Sequence, residues 1–169
     1  ALGVLLYEAM AGKLPFSGDH PAQVLRRVLD GDFVPPERHD AKIGASYSRL
    51  IARAIAHDPG QRFASVNAMM DALRAELAVL GFTKLQPLLD AVARPDPTLP
   101  DTLVDRLVER GSQARREGRI ASAADHFGRA LAYRPGDRQL LRRVSGLERD
   151  RLLRRLGRWA ATSVALAAL

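Results

Sequence analysis

The stretch ALGVLLYEAMA at residues 1–11 decides how the first half of the chain folds. Glu8 is its only charged residue, so a helix drawn through it is apolar on every face. Such a helix is buried in a protein core or lies in a membrane, and a membrane span needs about 20 residues. This stretch is too short to span, and we therefore predict a central core helix that ends at Gly12.

A second helix is predicted between Pro21 and Gly31. Proline suits the first turn of a helix because its missing N–H is not needed there, and glycine suits the position just after the last turn. Arg26 and Arg27 are expected to face away from the apolar stripe of this helix. The stripe consists of Val24, Leu25, Val28 and Leu29.

Two more helices are predicted within residues 1–82. The third is expected to open at Ser46 or Ser48 and to be stopped by the Asp-Pro-Gly at residues 58–60. The fourth is expected to follow the N-cap Ser65 and to end before Gly81. The expected buried face of the third helix is Leu50, Ile51, Ala54 and Ile55. No strand-like alternation occurs over any length, so the predicted fold class is all-α.

The chain changes character after residue 82. Four prolines there interrupt any long helix, namely Pro87, Pro95, Pro97 and Pro100. We predict a proline-rich linker over residues 83–101 and a domain boundary within it. Apolar stripes then predict a helical hairpin over residues 102–137, followed by a basic helix over residues 138–158.

The net charge of +7 is concentrated in the second half of the chain. Residues 138–158 carry eight arginines, and residues 159–169 carry no charge. The arginines could neutralise nucleic-acid phosphates, form a solvated helix face, or precede a membrane span. We favour the third reading and expect no nucleic acid, because aromatic stacking partners are absent and a basic cluster before an apolar run fits the positive-inside rule. The membrane-proximal residues would be Arg149, Arg151, Arg154, Arg155, Arg158 and Trp159.

Several kinds of site are excluded by residue type. The chain has no cysteine, which removes disulfides, thiolate metal ligands and thiol nucleophiles. Its four histidines share no helical face, so no metal site is expected, and His126 is predicted to be solvated on the polar side of a helix. No Gly-x-Ser-x-Gly motif occurs either. We therefore expect no catalytic, cofactor-binding or metal residues in this chain.

The first 80 residues resemble the end of the large lobe of a bacterial serine/threonine protein kinase of the eukaryotic type. Residues 2–10 with Gly12 and Leu14-Pro15-Phe16 are similar to that family's long central helix and the loop after it. The segment from Pro21 to Gly31 is similar to the next helix. Asp58-Pro59-Gly60-Gln61-Arg62-Phe63 is similar to the motif before the family's last helix.

The resemblance implies structural roles for Gly3 and Glu8 in the central helix and for Asp58 and Arg62 in the later motif. In the family, the motif arginine forms a buried ion pair with a glutamate that ends the activation segment, and breaking such a pair costs about 3–5 kcal/mol. That glutamate is missing here. Without the resemblance, the favoured interpretation of Arg62 is a solvated arginine that follows the end of a helix.

The departures from the family pattern concern phosphoryl transfer. The chain contains no Gly-rich phosphate loop, no His-Arg-Asp catalytic loop and no Asp-Phe-Gly for magnesium. The resemblance therefore implies a parent kinase that uses ATP and magnesium, whereas this chain is expected to bind neither. We expect the chain to be a piece of a longer protein.

Residues 104–137 resemble a tetratricopeptide repeat. Small residues at its fixed spacings let two helices approach closely, and Phe127 would fill the groove between helix pairs. Three such repeats are usually needed for stability, and an ordinary helical hairpin is the alternative. The pattern residues are Gly111, Gly118, Ala123, Phe127, Ala130 and Pro135.

The expected function is that of a kinase fragment. The parent would transfer the ATP γ-phosphate to Ser or Thr of proteins, and this piece would support the lobe, offer its second helix for docking and bind proteins through the repeat. Its partners would be the rest of the kinase domain, protein substrates and a membrane, with the piece held on the cytoplasmic side through the segment beginning at Trp159. The alternative is a non-enzymatic interaction module with a degenerate kinase remnant.

Overall fold

The computed structural model describes residues 1–84, 86, 89–90, 93–94 and 97–147. Within those ranges the chain forms helices and turns and no strand, so the predicted all-α fold class is confirmed. Contacts divide the chain into two units, unit 1 over residues 1–100 and unit 2 from residue 101 onward.

Unit 1 is built around one central helix pair. Its helices are α1 (Leu2–Ala11), α2 (Pro21–Asp30), α3 (Gly44–Ala54) and α4 (Val66–Val79), with short 3-10 turns at Pro36–Arg38 and Pro59–Gln61. The helix α3 packs against α1, α4 and the first of these turns. The core beneath them contains Tyr7, Ile51 and Ile55, with Val4, Leu6, Met10, Phe16 and Phe33 packed around it.

The helix boundaries follow local chemistry. Ser65 accepts the N–H of Ala68 at 3.1 Å and caps α4 at the predicted residue. Gly81 has a φ of 79°, and beyond it the N–H of Phe82 bonds to the carbonyl of Leu77. This left-handed turn closes α4 and favours glycine, as predicted.

The start of α3 differs from the prediction. The helix begins at Gly44, two residues before the earlier of the two expected serines. Ser48 lies buried inside α3, where its hydroxyl accepts the N–H of Glu37 at 3.0 Å. Its polar group therefore serves the neighbouring 3-10 turn and does not cap its own helix.

Within the described residues, α1 is covered on one side only. Gly3 and Tyr7 are buried, but Leu2 and Leu5 are 50% and 59% exposed. The cause is that α3 covers α1 on one side only. An apolar face that includes Leu2 and Leu5 is left open to solvent.

The apolar stripe of α2 lies at the surface of unit 1. No residue of α2 is buried, and Leu25, Val28 and Leu29 lie on the outside. Arg27 instead turns toward the unit and donates to the carbonyl of Ser17 at 2.6 Å. A guanidinium tolerates this position because it finds a backbone acceptor there, whereas Arg26 on the same helix stays exposed to solvent.

Helical structure extends into the predicted linker. Residues 86, 89, 90 and 93 are helical, and the next helix, α5 (Leu99–Arg116), begins before the linker was expected to end. Pro100 is compatible with this start because the first-turn N–H groups of a helix have no intrahelical partner.

Unit 2 consists of α5, α6 (Ile120–Tyr133) and a helix described over residues 138–147, here called α7. Gly118, with a φ of 75°, forms the turn between α5 and α6. Asp137 opens α7 by accepting the N–H of Gln139 at 2.8 Å. The shared core contains Ala114, Ala123, Phe127 and Leu147, with Ile120 and Val144 against it.

Candidate functional site

The closest approach between α1 and α3 occurs at Gly3. A Cβ built on Gly3 would lie 2.9 Å from the backbone carbon of Ala54 and 2.7 Å from Cγ2 of Ile55. Contacts this short between carbon atoms do not occur in proteins, so any side chain at this position would push the two helices apart. The glycine thus sets the spacing of the core on which the rest of unit 1 is built.

Tyr7 joins α1 to the loop after α2. Its ring is buried, and its hydroxyl donates to the carbonyl of Val34 at 2.6 Å. The phenol oxygen lies 3.1 Å from Nε2 of His39. Because the hydroxyl proton is already donated to Val34, the phenol oxygen accepts a hydrogen bond from Nε2. Phe33 meets the Tyr7 ring edge-on at 6.1 Å. Burial raises the pKa of Tyr7, and the phenol stays protonated at neutral pH.

Sequence reasoning missed this role of Tyr7. The available signal was a tyrosine in a helix whose only other polar side chain is Glu8. A buried tyrosine hydroxyl needs a hydrogen-bond partner. The partner could not be named from the sequence because Val34 lies 27 residues away.

The motif at residues 58–63 closes the loop after α3. Oδ1 of Asp58 accepts the N–H of Gly60 at 2.8 Å. Arg62 donates from Nε to the carbonyl of Ala56 at 2.7 Å and from Nη2 to that of His57 at 3.2 Å. Its side chain is exposed. Arg62 is therefore neither freely solvated nor part of a buried ion pair within the described residues, and it ties the loop together.

A second contact attaches the same motif to α3. The guanidinium of Arg53 lies 4.4 Å from the centre of the Phe63 ring, within cation–π range. Glu8, the other acidic residue expected to have a structural role, is exposed on α1.

The outer face of α2 carries three exposed large apolar side chains. We call Leu25, Val28 and Leu29 the α2 surface; Leu25 and Leu29 are 60% and 57% exposed. An ion pair between Arg26 and Asp30 at 3.5 Å lies on the same helix. Apolar residues grouped in this way beside charges are typical of a protein-docking surface.

A cavity of about 380 Å³ separates α2 from the loops on either side of it. Tyr7 and Phe33 contribute to its lining, and Lys13, Arg27 and Asp32 supply charges of both signs. None of the phosphate-binding motifs of a kinase contributes to it, because the chain contains none.

The expected surface position of His126 is wrong. The residue is 8% exposed, and its Nδ1 is buried without a hydrogen-bond partner. Arg129, one turn further along α6, is 6% exposed. The helix is therefore buried on more than the Ala123 and Phe127 face, which the apolar pattern alone did not indicate. In the described ranges no group of three His, Asp or Glu side chains could hold a metal ion.

The two helices of the unit 2 hairpin meet where the Phe127 ring packs against Gly111. A Cβ on Gly111 would lie 2.6 Å from Cδ1 of Phe127, and Phe127 is only 1% exposed. Ala123 and Ala130, one turn on either side, are completely buried. Of the other pattern residues, Gly118 forms the helix–helix turn, and Pro135 lies in the turn after α6.

Arg143 connects α7 to this hairpin. Its Nη1 donates to the hydroxyl of Ser112 at 3.0 Å, and its guanidinium lies 5.8 Å from the Phe127 ring centre. The Ser112 hydroxyl in turn donates a hydrogen bond to the carbonyl of Val108 at 2.7 Å. These contacts attach α7 both to α5 and to the Phe127 ring.

The membrane-proximal residues predicted from the sequence lie outside the described residues. These are Arg149, Arg151, Arg154, Arg155, Arg158 and Trp159. Among the residues that the structure does describe, no helix has both the length and the apolar character that a bilayer crossing requires.

Comparison with known proteins places relatives of this chain among bacterial kinases. It is 30% identical over 183 residues to the serine/threonine-protein kinase Pkn1 of Myxococcus xanthus, an alignment that covers 94% of the chain and 26% of that protein. It is 28% identical over 161 residues to the serine/threonine-protein kinase PknB of Mycobacterium tuberculosis, covering 95% of the chain and 21% of PknB. A third relative, the serine/threonine-protein kinase pkn3 of Myxococcus xanthus, is 39% identical over 77 residues, or 44% of the chain and 14% of pkn3.

No family model matches the chain. No solved structure matches it either. The chain spans about a quarter or less of the length of these curated relatives. Their names support an origin of this chain among bacterial serine/threonine kinases, as the resemblance of the first 80 residues implied.

Proposed function

We propose that unit 1 is the end of the large lobe of a serine/threonine protein kinase and supports the rest of that lobe. The observation that carries the proposal is the open side of α1, where Leu2 and Leu5 are exposed opposite a face seated on α3 at Gly3. Contiguous apolar exposure favours a packing partner. The partner would be the preceding part of the kinase domain, because the similar proteins are serine/threonine kinases.

In this proposal the parent protein transfers the γ-phosphate of ATP to Ser or Thr of proteins, and this chain supplies no group that touches ATP or magnesium. Arg62 would hold the lobe together at its base. Two of its nitrogens bond the loop after α3, and its exposed guanidinium would meet the glutamate that ends the activation segment.

Unit 2 and the α2 surface would bind proteins. The Gly111–Phe127 contact and the buried Ala123 and Ala130 support a tetratricopeptide-like pair of helices in unit 2. The α2 surface would hold a protein substrate against the lobe through the exposed side chains of Leu25, Val28 and Leu29.

The second candidate is a helical interaction module without activity, derived from a kinase. The exposure of the α2 surface and the closed core of unit 2 support binding in either case. The coding sequence upstream of Ala1 separates the two candidates. A catalytic-loop Asp and a magnesium-binding Asp there would favour the enzyme, and their absence would rule it out.

The decisive experiment compares Leu5→Arg in two settings. In the longer protein that contains this chain, we expect Leu5→Arg to abolish phosphorylation of a generic protein substrate, because a buried unpaired charge would disrupt the lobe. In the chain of residues 1–169, the same change should leave the hydrogen-exchange protection of the α3 amides unchanged, as surface changes do.

Leu14→Arg is the matched control, since Leu14 is similarly exposed but lies outside α1. It should leave the activity of the longer protein unchanged. Full activity of the Leu5→Arg protein would contradict the proposal that this face packs against the rest of a kinase lobe.

A further inference from the structure

Unit 2 contains a buried histidine, His126, to which no role has been assigned. His126 lies on α6 beside Phe127, is 8% exposed, and its Nδ1 makes no hydrogen bond. Buried polar atoms are nearly always bonded, so an unbonded imidazole nitrogen needs an explanation. None of the roles proposed for unit 2 uses this side chain.

The charges around His126 are mostly positive. Arg110 acts on it from α5, Arg119 from the turn between the helices and Arg129 from α6 itself. Asp125 acts in the opposite sense. A proton added to the imidazole would therefore be repelled by three arginines and attracted by Asp125.

We infer that unit 2 contains an acid-sensitive switch, in which a proton taken up by His126 opens the contact between α5 and α6. A charged imidazole cannot remain where it has little access to water and few acceptors. Water would reach the buried Nδ1 once α6 moves away from its neighbours. Because Phe127 is the next residue and is seated on Gly111, such a movement also withdraws the ring that holds the hairpin.

The direction of the pH dependence follows from the same contacts. Burial lowers the pKa of His126 in the folded state, Asp125 opposes this, and Arg129, Arg119 and Arg110 lower it further. The unfolded chain therefore takes up the proton at a higher pH than the folded unit does. The stability due to neutral His126 is complete above the unfolded pKa of about 6.5 and is lost as the pH falls from there toward the folded pKa.

Unit 1 offers the internal comparison. Its histidines, His20, His39 and His57, are all exposed. The acid response is consequently expected in unit 2 and not in unit 1.

The test is amide hydrogen exchange on the full chain between pH 7.5 and 5.0, with each rate expressed as a protection factor. Protection of the α6 amides should fall about tenfold for each pH unit below about 6.5, since one proton is linked to opening. Protection of the α3 amides should stay constant within twofold. His126→Gln should remove the α6 response, and His57→Gln, at an exposed histidine, should retain it.

Two results would overturn the inference. One is an equal loss of protection in α3 and α6, which would indicate general acid denaturation. The other is a flat α6 response in the unaltered chain. If His126→Gln does not fold, proton NMR titration of the unaltered chain decides the question. The His126 ring signal should titrate below pH 6.5, and titration at or above that value would contradict the switch.

Discussion

The two units differ in how far they close their own cores. In unit 2 the largest side chains between the helices are fully enclosed, including Val104, Leu107 and Phe127. In unit 1 the core around Tyr7 and Ile51 is closed, but leucines on α1 and α2 remain in solvent. From this difference we expect unit 2 to fold by itself and unit 1 to need further protein to cover its exposed leucines.

Both units use the same device at their central contact. A glycine lets a neighbouring helix approach, at Gly3 in unit 1 and at Gly111 in unit 2. At Gly3 the neighbours are the backbone of Ala54 and the side chains of Ala54 and Ile55, and at Gly111 the neighbour is an aromatic ring. A ring can shift more easily than backbone can, so the two contacts should respond differently to substitution.

The largest effect is expected at the core ring of unit 2. Phe127→Ala should lower the free energy of unfolding by about 3–5 kcal/mol, because it removes buried area and leaves a cavity. Leu141→Ala is the control, since Leu141 is largely exposed on α7. Urea denaturation followed by circular dichroism measures both. A loss below about 1 kcal/mol for Phe127→Ala would mean that the ring does not hold the hairpin.

The corresponding change in unit 1 is Gly3→Ala. The new methyl group would meet the backbone of Ala54, and we expect a loss of about 1–3 kcal/mol as α1 and α3 separate. Exchange protection of α3 amides is the measurement. Ala9→Ser, on the exposed side of α1, should leave that protection unchanged. An unaltered Gly3→Ala protein would show that the helices are not in close contact.

A smaller loss is expected for Tyr7→Phe. The substitution keeps the ring and removes the hydroxyl that donates to Val34, leaving that carbonyl without its tyrosine donor. The expected cost is about 0.5–1.5 kcal/mol, because Val34 is exposed and water can replace the lost donor. The same exchange experiment should show reduced protection around residues 33–39 and no change in α6. Equal protection in both proteins would contradict the proposed tie between α1 and this loop.

The smallest effect has the opposite sign. A Cβ on Gly128 would meet nothing within 4 Å, and glycine inside a helix is less stable than alanine. Gly128→Ala should therefore raise the stability of unit 2 by about 0.5–1 kcal/mol. Ala124→Gly, on the exposed side of the same helix, should lower it by a similar amount. A loss of stability in Gly128→Ala would reveal a contact at this position.

The sequence was sufficient for the features that depend on neighbouring residues. The fold class, the cap at Ser65 and the left-handed turn at Gly81 were all predicted, because each requires only local hydrogen bonds or helical spacing. The cores of α3 and of the hairpin could also be read from apolar periodicity.

What could not be predicted depends on partners distant in the chain. The inward turn of Arg27 requires the carbonyl of Ser17, and the role of Tyr7 requires Val34. His126 was misplaced because periodicity marks the most apolar face of a helix and does not exclude a second buried face. The expected membrane segment from Trp159 lies outside the described residues and stays a prediction.

The difference between the units is tested most directly by separating them. Residues 1–82 and residues 102–158 would be expressed independently and examined by light scattering and by thermal melting. We predict that 102–158 is monomeric and melts cooperatively, while 1–82 associates through its open apolar faces and melts without a cooperative transition. A monomeric, cooperatively melting fragment 1–82 would contradict the account, because unit 1 would then need no further protein to complete it.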